Sequence, residues 1–206
     1  MKLKIIDNVL SDSLLTSIQE KIEGPEMPWY FVPNDDYMSN DIEQAPLNYS
    51  FVHTVCKPKF TSETSYHIET ISPLNDMTYS LSLILKDLFE LKNPYGVFFQ
   101  GWKMTTTIAT RHRHTPHTDL NASDILIPYK VILFYLNESD GDTYFYDKKH
   151  KIIDSITHKE NRAVLFDGSI LHSSSKPIKF ARRIVLNIDL MKEQNDKESE
   201  SGKKTD

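Results

Sequence analysis

The sequence predicts an α+β fold whose second half is a β-sandwich or barrel. Two amphipathic helical patterns lie in the first 92 residues, and from about residue 95 to residue 191 short apolar segments alternate with turns. With 206 residues, the chain is long enough for one domain with a substantial core and short for two. We therefore expect one domain over residues 1–191, followed by a disordered charged tail over residues 192–206, which has no apolar side chain.

The first half begins with a short predicted strand at residues 3–6, where apolar and polar side chains alternate weakly. Ser11 is a favourable N-cap, and the pattern after it predicts a helix that ends at Gly24. The apolar face of this helix consists of Leu14, Leu15, Ile18 and Ile22. Residues 25–48 then contain four prolines among aromatic and polar residues, which is typical of a long surface excursion.

The segment NYSFVHTV at residues 48–55 predicts a strand, and MTYSLSLILKDLFELK at residues 77–92 predicts the second helix. The apolar stripe of this helix includes Leu81, Leu85, Leu88 and Phe89. Cys56 is the single cysteine and follows an apolar run, so we expect a buried structural thiol. A single cysteine excludes an internal disulfide, which fits a reducing compartment.

Five strand patterns separated by turns make up the second half. They are GVFFQGWKMTTTIA, PYKVILFYLN, TYFYD, RAVLFD and RRIVLNIDLM. In the last segment the even-numbered positions 184–190 form an apolar face, and the opposite face carries Arg183, Val185, Asn187 and Asp189. That polar face is either solvated or lines a cavity inside a barrel, where Arg183 would hold an anionic ligand.

The composition disfavours two classes of partner. The chain has 24 basic and 29 acidic residues, a net charge of −5, which is unfavourable for a nucleic-acid-binding surface. No segment approaches the ~18 apolar residues of a membrane span, and the N-terminus lacks the apolar core of a secretory signal. We therefore expect a cytoplasmic protein that does not associate with a membrane.

Three histidines are followed two residues later by an acidic residue, a spacing at which two strand side chains share a face and can bind one metal ion. The pairs are His67–Glu69, His117–Asp119 and His158–Glu160. Only the pair His117–Asp119 ends a long predicted strand and precedes enough β sequence to bring a further histidine, His172, back to it. His112 and His114 lie on the approach to the turn, where we expect exposure or a supporting role rather than metal binding.

Five segments resemble, in order, the motifs of the 2-oxoglutarate- and Fe(II)-dependent dioxygenases, and within them the prolyl-hydroxylase-like branch. They are HTD at 117–119, YKVILFYLN at 129–137, DGDT at 140–143, VLFDGSILHSSSKP at 164–177 and RRIVLNIDL at 182–190. The resemblance covers roughly residues 95–191 and implies a double-stranded β-helix, or jelly roll, with flanking N-terminal helices. Asp142 is a departure, because the family usually has a second glycine after the position of Gly141.

The resemblance also implies a site. The implied Fe(II) ligands are His117, Asp119 and His172. The implied residues for the co-substrate 2-oxoglutarate are Arg183, Tyr135, Asn187 and Thr107, the last two chosen from strand parity alone. Arg183 takes the family position for the distal carboxylate, and Arg182 points to the opposite face. With O2 as oxidant, the implied reaction hydroxylates a substrate C–H bond and releases succinate and CO2.

Other functions stay open at this point. A jelly roll with two histidines and one aspartate also suits another kind of metalloenzyme or a non-catalytic metal-binding module, and the histidines could be ordinary core residues. The alkylation-repair branch is disfavoured, because Asp189 stands where those enzymes carry a second arginine. A prolyl peptide, a free amino acid, a nucleotide and a small metabolite all remain candidate substrates.

Overall fold

The computed structural model describes residues 2–33, 49–60, 66–91, 95–107, 113–120 and 128–192. The described residues form two helices, α1 (Asp12–Glu23) and α2 (Asn75–Leu88), and eleven strands. The strands are β1 (Lys4–Asp7), β2 (Tyr30–Val32), β3 (Ser50–Phe60), β4 (Tyr66–Thr70), β5 (Tyr95–Thr106), β6 (Tyr129–Tyr135), β7 (Thr143–Tyr146), β8 (Ile152–Ile156), β9 (Arg162–Asp167), β10 (Leu171–Ser174) and β11 (Arg182–Lys192). His112, most of the predicted excursion and the tail beyond Lys192 lie outside the described residues.

Within the described residues the strands form two antiparallel sheets. The larger sheet has the order β1–β9–β6–β11–β5–β3–β2, with β4 also paired with β3, and the smaller sheet has the order β10–β7–β8. The segment that leads to His117 runs beside the smaller sheet, through isolated bridges between Arg113 and Ser175 and between His117 and His172. This segment therefore continues the smaller sheet past β10.

Strand β11 separates two apolar cores. Its even-numbered side chains share one core with both helices: Ile184, Leu186, Ile188, Leu190, Leu15 and Leu85. On its other face, Val185 shares a second core with Phe145 of β7 in the smaller sheet. The two sheets thus face each other in a jelly roll, as predicted, and the polar odd-numbered side chains of β11 lie inside it.

Both predicted helices are present, but each buries a narrower stripe than expected. Leu15, Ile18 and Ile22 are buried in α1, whereas Leu14 is 40% exposed, and at the end of α2 Leu88 is also 40% exposed. One sheet covers only the middle of an apolar stripe, so a leucine at the edge of the stripe in α1 or at the end of α2 stays partly in water. Ser11 precedes α1 with extended backbone, but its hydroxyl pairs with Ser13 Oγ and not with a helix N–H. Neither described helix is long and apolar enough to cross a membrane.

Four strands were not predicted: β2, β4, β8 and β10. Strands β2, β3 and β4 extend one edge of the larger sheet, so that sheet includes residues before 95, among them the strand predicted at residues 48–55. His67 lies in β4. Most side chains of β4 and β8 are exposed, so these strands lack the apolar alternation that identifies a strand in a sequence.

Candidate active site

Three of the predicted residues, His117, Asp119 and His172, converge in the structure. The two histidines lie opposite each other on antiparallel segments and exchange backbone hydrogen bonds of 3.0 and 2.9 Å. Asp119 Oδ1 is 4.0 Å from His117 Nε2, and Asp119 Oδ2 is 3.5 Å from His172 Nε2. One ligand atom of each residue lies within 4.8 Å of the others, the only such group found in the part of the chain that the structure describes.

Both histidines present the same nitrogen to the centre of the group. His117 Nδ1 lies 2.8 Å from the Thr115 carbonyl oxygen, and His172 Nδ1 lies 3.1 Å from that of Ile170. Because a carbonyl oxygen only accepts, each Nδ1 carries the proton in the neutral ring, and each Nε2 keeps its lone pair. Phe166 packs edge-on against the His172 ring at 4.8 Å and fixes its orientation. These contacts prepare both rings for metal binding.

The charges of the group suit a cation at its centre. Burial would raise the pKa of Asp119, but His172 and then His117 outweigh burial and hold that pKa below its ordinary value. Burial would lower the pKa of His172, but Asp119 outweighs burial, and the pKa of His172 lies above its ordinary value. The pKa of His117 lies below its ordinary value because of burial and then the charge of His172. An ionised carboxylate between two imidazoles fits a divalent metal ion, which takes the place of a proton. Two nitrogens and one oxygen leave three positions of an octahedral ion open, as in non-haem iron oxygenases.

A cavity of about 80 Å³ lies beside this group, and Arg183 borders it. The Arg183 side chain is 3% exposed; its Nε donates to the Gly141 carbonyl oxygen at 2.8 Å, and its Nη2 donates to Thr143 Oγ1 at 3.1 Å. Among the described residues, no carboxylate forms a salt bridge with Arg183, and burial lowers its pKa. A buried guanidinium with neutral partners favours an anionic ligand, so the cavity combines a cation site with a fixed anion site.

The turn that lacks the second glycine still supports Arg183. A Cβ at Gly141 would lie 2.6 Å from the Ser175 carbonyl oxygen and 2.7 Å from Arg183 Cδ, so only glycine fits there. At the next position, the Asp142 carbonyl oxygen accepts from the Ser175 N–H at 2.9 Å, and Asp142 Oδ1 accepts from the His158 N–H at 3.3 Å. The departure at Asp142 therefore leaves the close approach of the turn to Arg183 intact.

Tyr135 does not line the cavity but supports it from behind. Its hydroxyl forms a 2.7 Å hydrogen bond with Thr143 Oγ1, the same atom that accepts from Arg183. The Arg183 guanidinium also lies over the Tyr135 ring, 5.5 Å from its centroid. His158 stacks on that ring at 4.3 Å. Tyr135 therefore contacts Thr143 and Arg183 rather than the cavity.

The two parity predictions have different outcomes. Asn187 lines the cavity as expected. Thr107 does not: it is exposed, just beyond the end of β5, and its hydroxyl donates to the Phe180 carbonyl oxygen. The side chain on this face that does reach the cavity is Lys103, which the sequence analysis missed. Lys103 lies opposite Val185 of β11, and this register is not visible in the sequence.

The remaining described histidines lie outside the ligand group. His114 is buried, with 3% of its surface exposed, so of the two expected positions the exposed one is excluded, and it is not a member of the group. His53 bonds to the Pro28 carbonyl oxygen and to Ser72 Oγ, as a structural residue does. Arg182 forms a salt bridge with Glu23 of α1, on the opposite side of the sheet from the cavity.

His158 gives the fold a pH dependence that a variant can isolate. Burial, and then the charge of Arg183, lower the pKa of His158 to about 2, and its Nε2–H donates to the Asn137 carbonyl oxygen at 2.7 Å. Below about pH 6.5 the unfolded chain takes up a proton there that the folded chain refuses, so stability falls with falling pH by up to about 1.4 kcal/mol per unit. In His158→Gln this contribution is absent, and we expect a shallower decline of urea-unfolding free energy between about pH 6.5 and 5.

His67→Gln, at an exposed position of β4, is the control and should keep the pH dependence of the original protein. Parallel curves for the original protein and His158→Gln would show that His158 is not held neutral.

Comparisons with known proteins give a structural match and no sequence match. No family model matches the chain, and no curated protein is similar enough in sequence to match. Many solved structures match. An oxidoreductase of the 2OG-Fe(II) oxygenase family from Burkholderia pseudomallei has a TM-score of 0.68 at 10% identity, over 94% of this chain and 86% of that one.

Two further matches have defined ligands. A prolyl hydroxylase from Trichoplax adhaerens, in complex with a hypoxia-inducible-factor peptide fragment, has a TM-score of 0.58 at 14% identity, over 98% of this chain and 87% of that one. HygX from Streptomyces hygroscopicus, with nickel, 2-oxoglutarate and hygromycin B bound, has a TM-score of 0.56 at 11% identity, over 92% of this chain and 82% of that one. The chain thus has the fold of the 2-oxoglutarate- and Fe(II)-dependent oxygenases, prolyl hydroxylases included, as the resemblance of its motifs implies.

Proposed function

We propose that this protein is a 2-oxoglutarate- and Fe(II)-dependent dioxygenase that hydroxylates a substrate C–H bond and releases succinate and CO2. The observation that carries the proposal is the convergence of His117, Asp119 and His172 beside a cavity that also contains the buried Arg183. A metal-binding module or a hydrolytic metal site has no use at this place for a fixed guanidinium that forms no salt bridge within the described residues.

Each residue has a role that follows from its contacts. His117, Asp119 and His172 hold Fe(II), which when bound supplies the activation of O2 and the oxidative decarboxylation of 2-oxoglutarate. Arg183 binds the distal carboxylate of 2-oxoglutarate, since its guanidinium is fixed by Gly141 and Thr143 before the ligand arrives. A preordered side chain loses little entropy on binding, so the contact orients the co-substrate efficiently.

The surroundings of the site protect this chemistry. The side chain of His172 is 6% exposed and that of Asp119 is 13% exposed, whereas that of His117 is 39% exposed. Two of the three proposed ligands are therefore shielded from bulk water, and the third lies nearest to solvent. Exclusion of water prevents side reactions of an oxidising centre and strengthens the Arg183–carboxylate pair.

The test is a turnover assay with purified protein, Fe(II), 2-oxoglutarate, ascorbate and O2. We expect succinate formation that requires Fe(II) and 2-oxoglutarate and rises with the right member of a panel of prolyl peptides, amino acids, nucleotides and small metabolites. Metal-bound protein that fails to bind 2-oxoglutarate would instead indicate a metal site of another kind.

A further inference from the structure

A second cavity lies on the other side of Asp119. It has a volume of about 380 Å³, within the usual range for small-molecule sites. Its lining includes Lys103, Asp119 and Asn187, which also line the first cavity, together with residues of β3, β5 and β11. A ligand in this second cavity would therefore lie next to the proposed metal ligands without occupying the place of 2-oxoglutarate.

Asp189 of β11 faces this second cavity with an unused acceptor. The residue is 1% exposed, and its Oδ1 has no hydrogen-bond partner among the described residues. Asn187 lies two residues earlier on the same face of β11, and its Oδ1 is likewise buried without a partner in the described part of the chain. Buried acceptors are nearly always bonded in folded proteins, so two on one cavity wall indicate a ligand with hydrogen-bond donors.

The electrostatic environment favours a positively charged donor. Burial, and next the charge of Asp119, hold the pKa of Asp189 well above its ordinary value. Lys103 acts on the pKa values of Asp119 and both ligand histidines, but among the described residues no positive charge contributes to that of Asp189. A cationic group of a ligand placed against Asp189 would offset the effects of burial and of the Asp119 charge, because it supplies a counter-charge where water is excluded.

Besides Lys103, Asp119 and the polar Thr54, the rest of the wall is apolar. Val52, Phe99, Trp102 and Leu120 line the second cavity. The one polar atom of the Trp102 ring is already used, since its Nε1–H donates to Thr78 Oγ1 at 3.2 Å. The cavity therefore offers hydrogen-bond acceptors at Asp189 and Asn187 and an apolar surface around them.

We propose that the second cavity binds the substrate, and that this substrate carries a primary or secondary ammonium group on an apolar frame, with the ammonium donating to Asp189 and Asn187. This inference rests on the proposed function, because it assigns the cavity beside the metal group to the molecule that is oxidised. An ammonium has two or three donors and no acceptor, which matches two acceptors on one strand.

The test compares three probes with one frame: 2-phenylethylamine, 2-phenylethanol and phenylacetate. The protein is loaded with Ni(II) and then titrated with 2-oxoglutarate and each probe in turn by calorimetry, so that no turnover occurs. We expect the amine to bind at least tenfold more tightly than the alcohol, and phenylacetate to bind most weakly. Amine binding no tighter than alcohol binding, including no detectable binding of either, would overturn the inference.

A variant identifies the residue responsible. Asp189→Asn keeps the size of the side chain but cannot become a carboxylate when an ammonium group binds, so we expect the preference for amine over alcohol to fall at least tenfold. Asp154→Asn, at an exposed position of β8, should keep the preference. If Asp189→Asn misfolds, it binds neither the amine nor the alcohol, and no ratio of the two affinities can be measured. In that case the comparison of the three probes on the unaltered protein still decides the inference. An unchanged ratio in Asp189→Asn would overturn the assignment to Asp189.

The same titrations separate this inference from the proposed function. The heat of 2-oxoglutarate binding is recorded before any probe is added. If 2-oxoglutarate binds and the amine preference is missing, only the substrate inference fails. If 2-oxoglutarate does not bind, the proposed function fails whatever the probes do.

Discussion

His117→Ala is expected to abolish Fe(II) binding and, with it, 2-oxoglutarate turnover. His117 Nε2 is one of three converging atoms proposed as ligands, and its Nδ1–H is held by the Thr115 carbonyl oxygen. Its removal leaves two protein ligands for an ion that sits low in the affinity order of divalent metals. We expect the affinity for Fe(II) to fall by more than about a hundredfold, since loss of a residue that only orients a ligand already costs 10- to 100-fold. Metal content after dialysis against Fe(II) under anaerobic conditions measures the loss.

Two other histidines serve as controls for His117. His114 lies three residues earlier and is buried outside the ligand group, and His67 lies in the exposed strand β4. His114→Ala and His67→Ala should each retain one metal ion per folded chain. Circular dichroism identifies the folded fraction, because the first of these changes also removes a buried side chain. Equal metal content in His117→Ala and the original protein would show that the ion binds elsewhere.

Arg183→Ala is expected to raise the 2-oxoglutarate concentration needed for half-maximal turnover ten- to a hundredfold. A hydrogen bond to a charged group is worth about 1.5–3 kcal/mol, and each 1.4 kcal/mol corresponds to a factor of about ten. The effect should fall on the affinity for 2-oxoglutarate and leave Fe(II) content unchanged, because Arg183 is not a metal ligand. Succinate formation at a series of 2-oxoglutarate concentrations gives the value.

Arg183 has neighbours that complicate its removal, so two further variants accompany it. Arg183→Lys keeps the charge and loses the planar guanidinium that binds Gly141 and Thr143. The 2-oxoglutarate concentration that it needs for half-maximal turnover should lie between those of Arg183→Ala and the original protein. Arg182→Ala removes the adjacent arginine, which pairs with Glu23 of α1, and should leave the 2-oxoglutarate requirement as it was. If Arg182→Ala raised the 2-oxoglutarate requirement and Arg183→Ala did not, Arg182 would be the residue that binds the co-substrate.

The sequence is sufficient to predict elements whose side chains alternate strongly. Strand β11 is the best example, because its even positions from 184 to 190 are all apolar and its odd positions include Arg183, Asn187 and Asp189. The order of the motifs around His117, Asp119, His172 and Arg183 carries the family resemblance, and that resemblance implied the metal and co-substrate residues. Strands β4 and β8 were missed because exposed edge strands bury too little to show a pattern.

Other features depend on register and distance, which a single sequence does not contain. Thr107 is four residues after Lys103, so in a continuous strand the two side chains would share a face. Because β5 ends at Thr106, Lys103 reaches the cavity and Thr107 does not. Tyr135 was expected to touch the co-substrate, and it lies one layer behind, bonded to Thr143. Asp189 was placed on the polar face of β11, which the sequence left either solvated or lining a cavity, and its burial near Asp119 follows from pairing with β5 and β6.

The most direct test of the account is anaerobic addition of Fe(II) and then 2-oxoglutarate to the purified protein, followed by visible absorption. Iron held by His117, Asp119 and His172 in the proposed site would give a metal-to-ligand charge-transfer band on binding 2-oxoglutarate. We predict a band that saturates at one equivalent of each, is missing in His117→Ala, and needs ten- to a hundredfold more 2-oxoglutarate in Arg183→Ala. Protein that binds Fe(II) but shows no such band at any 2-oxoglutarate concentration would contradict the proposed function.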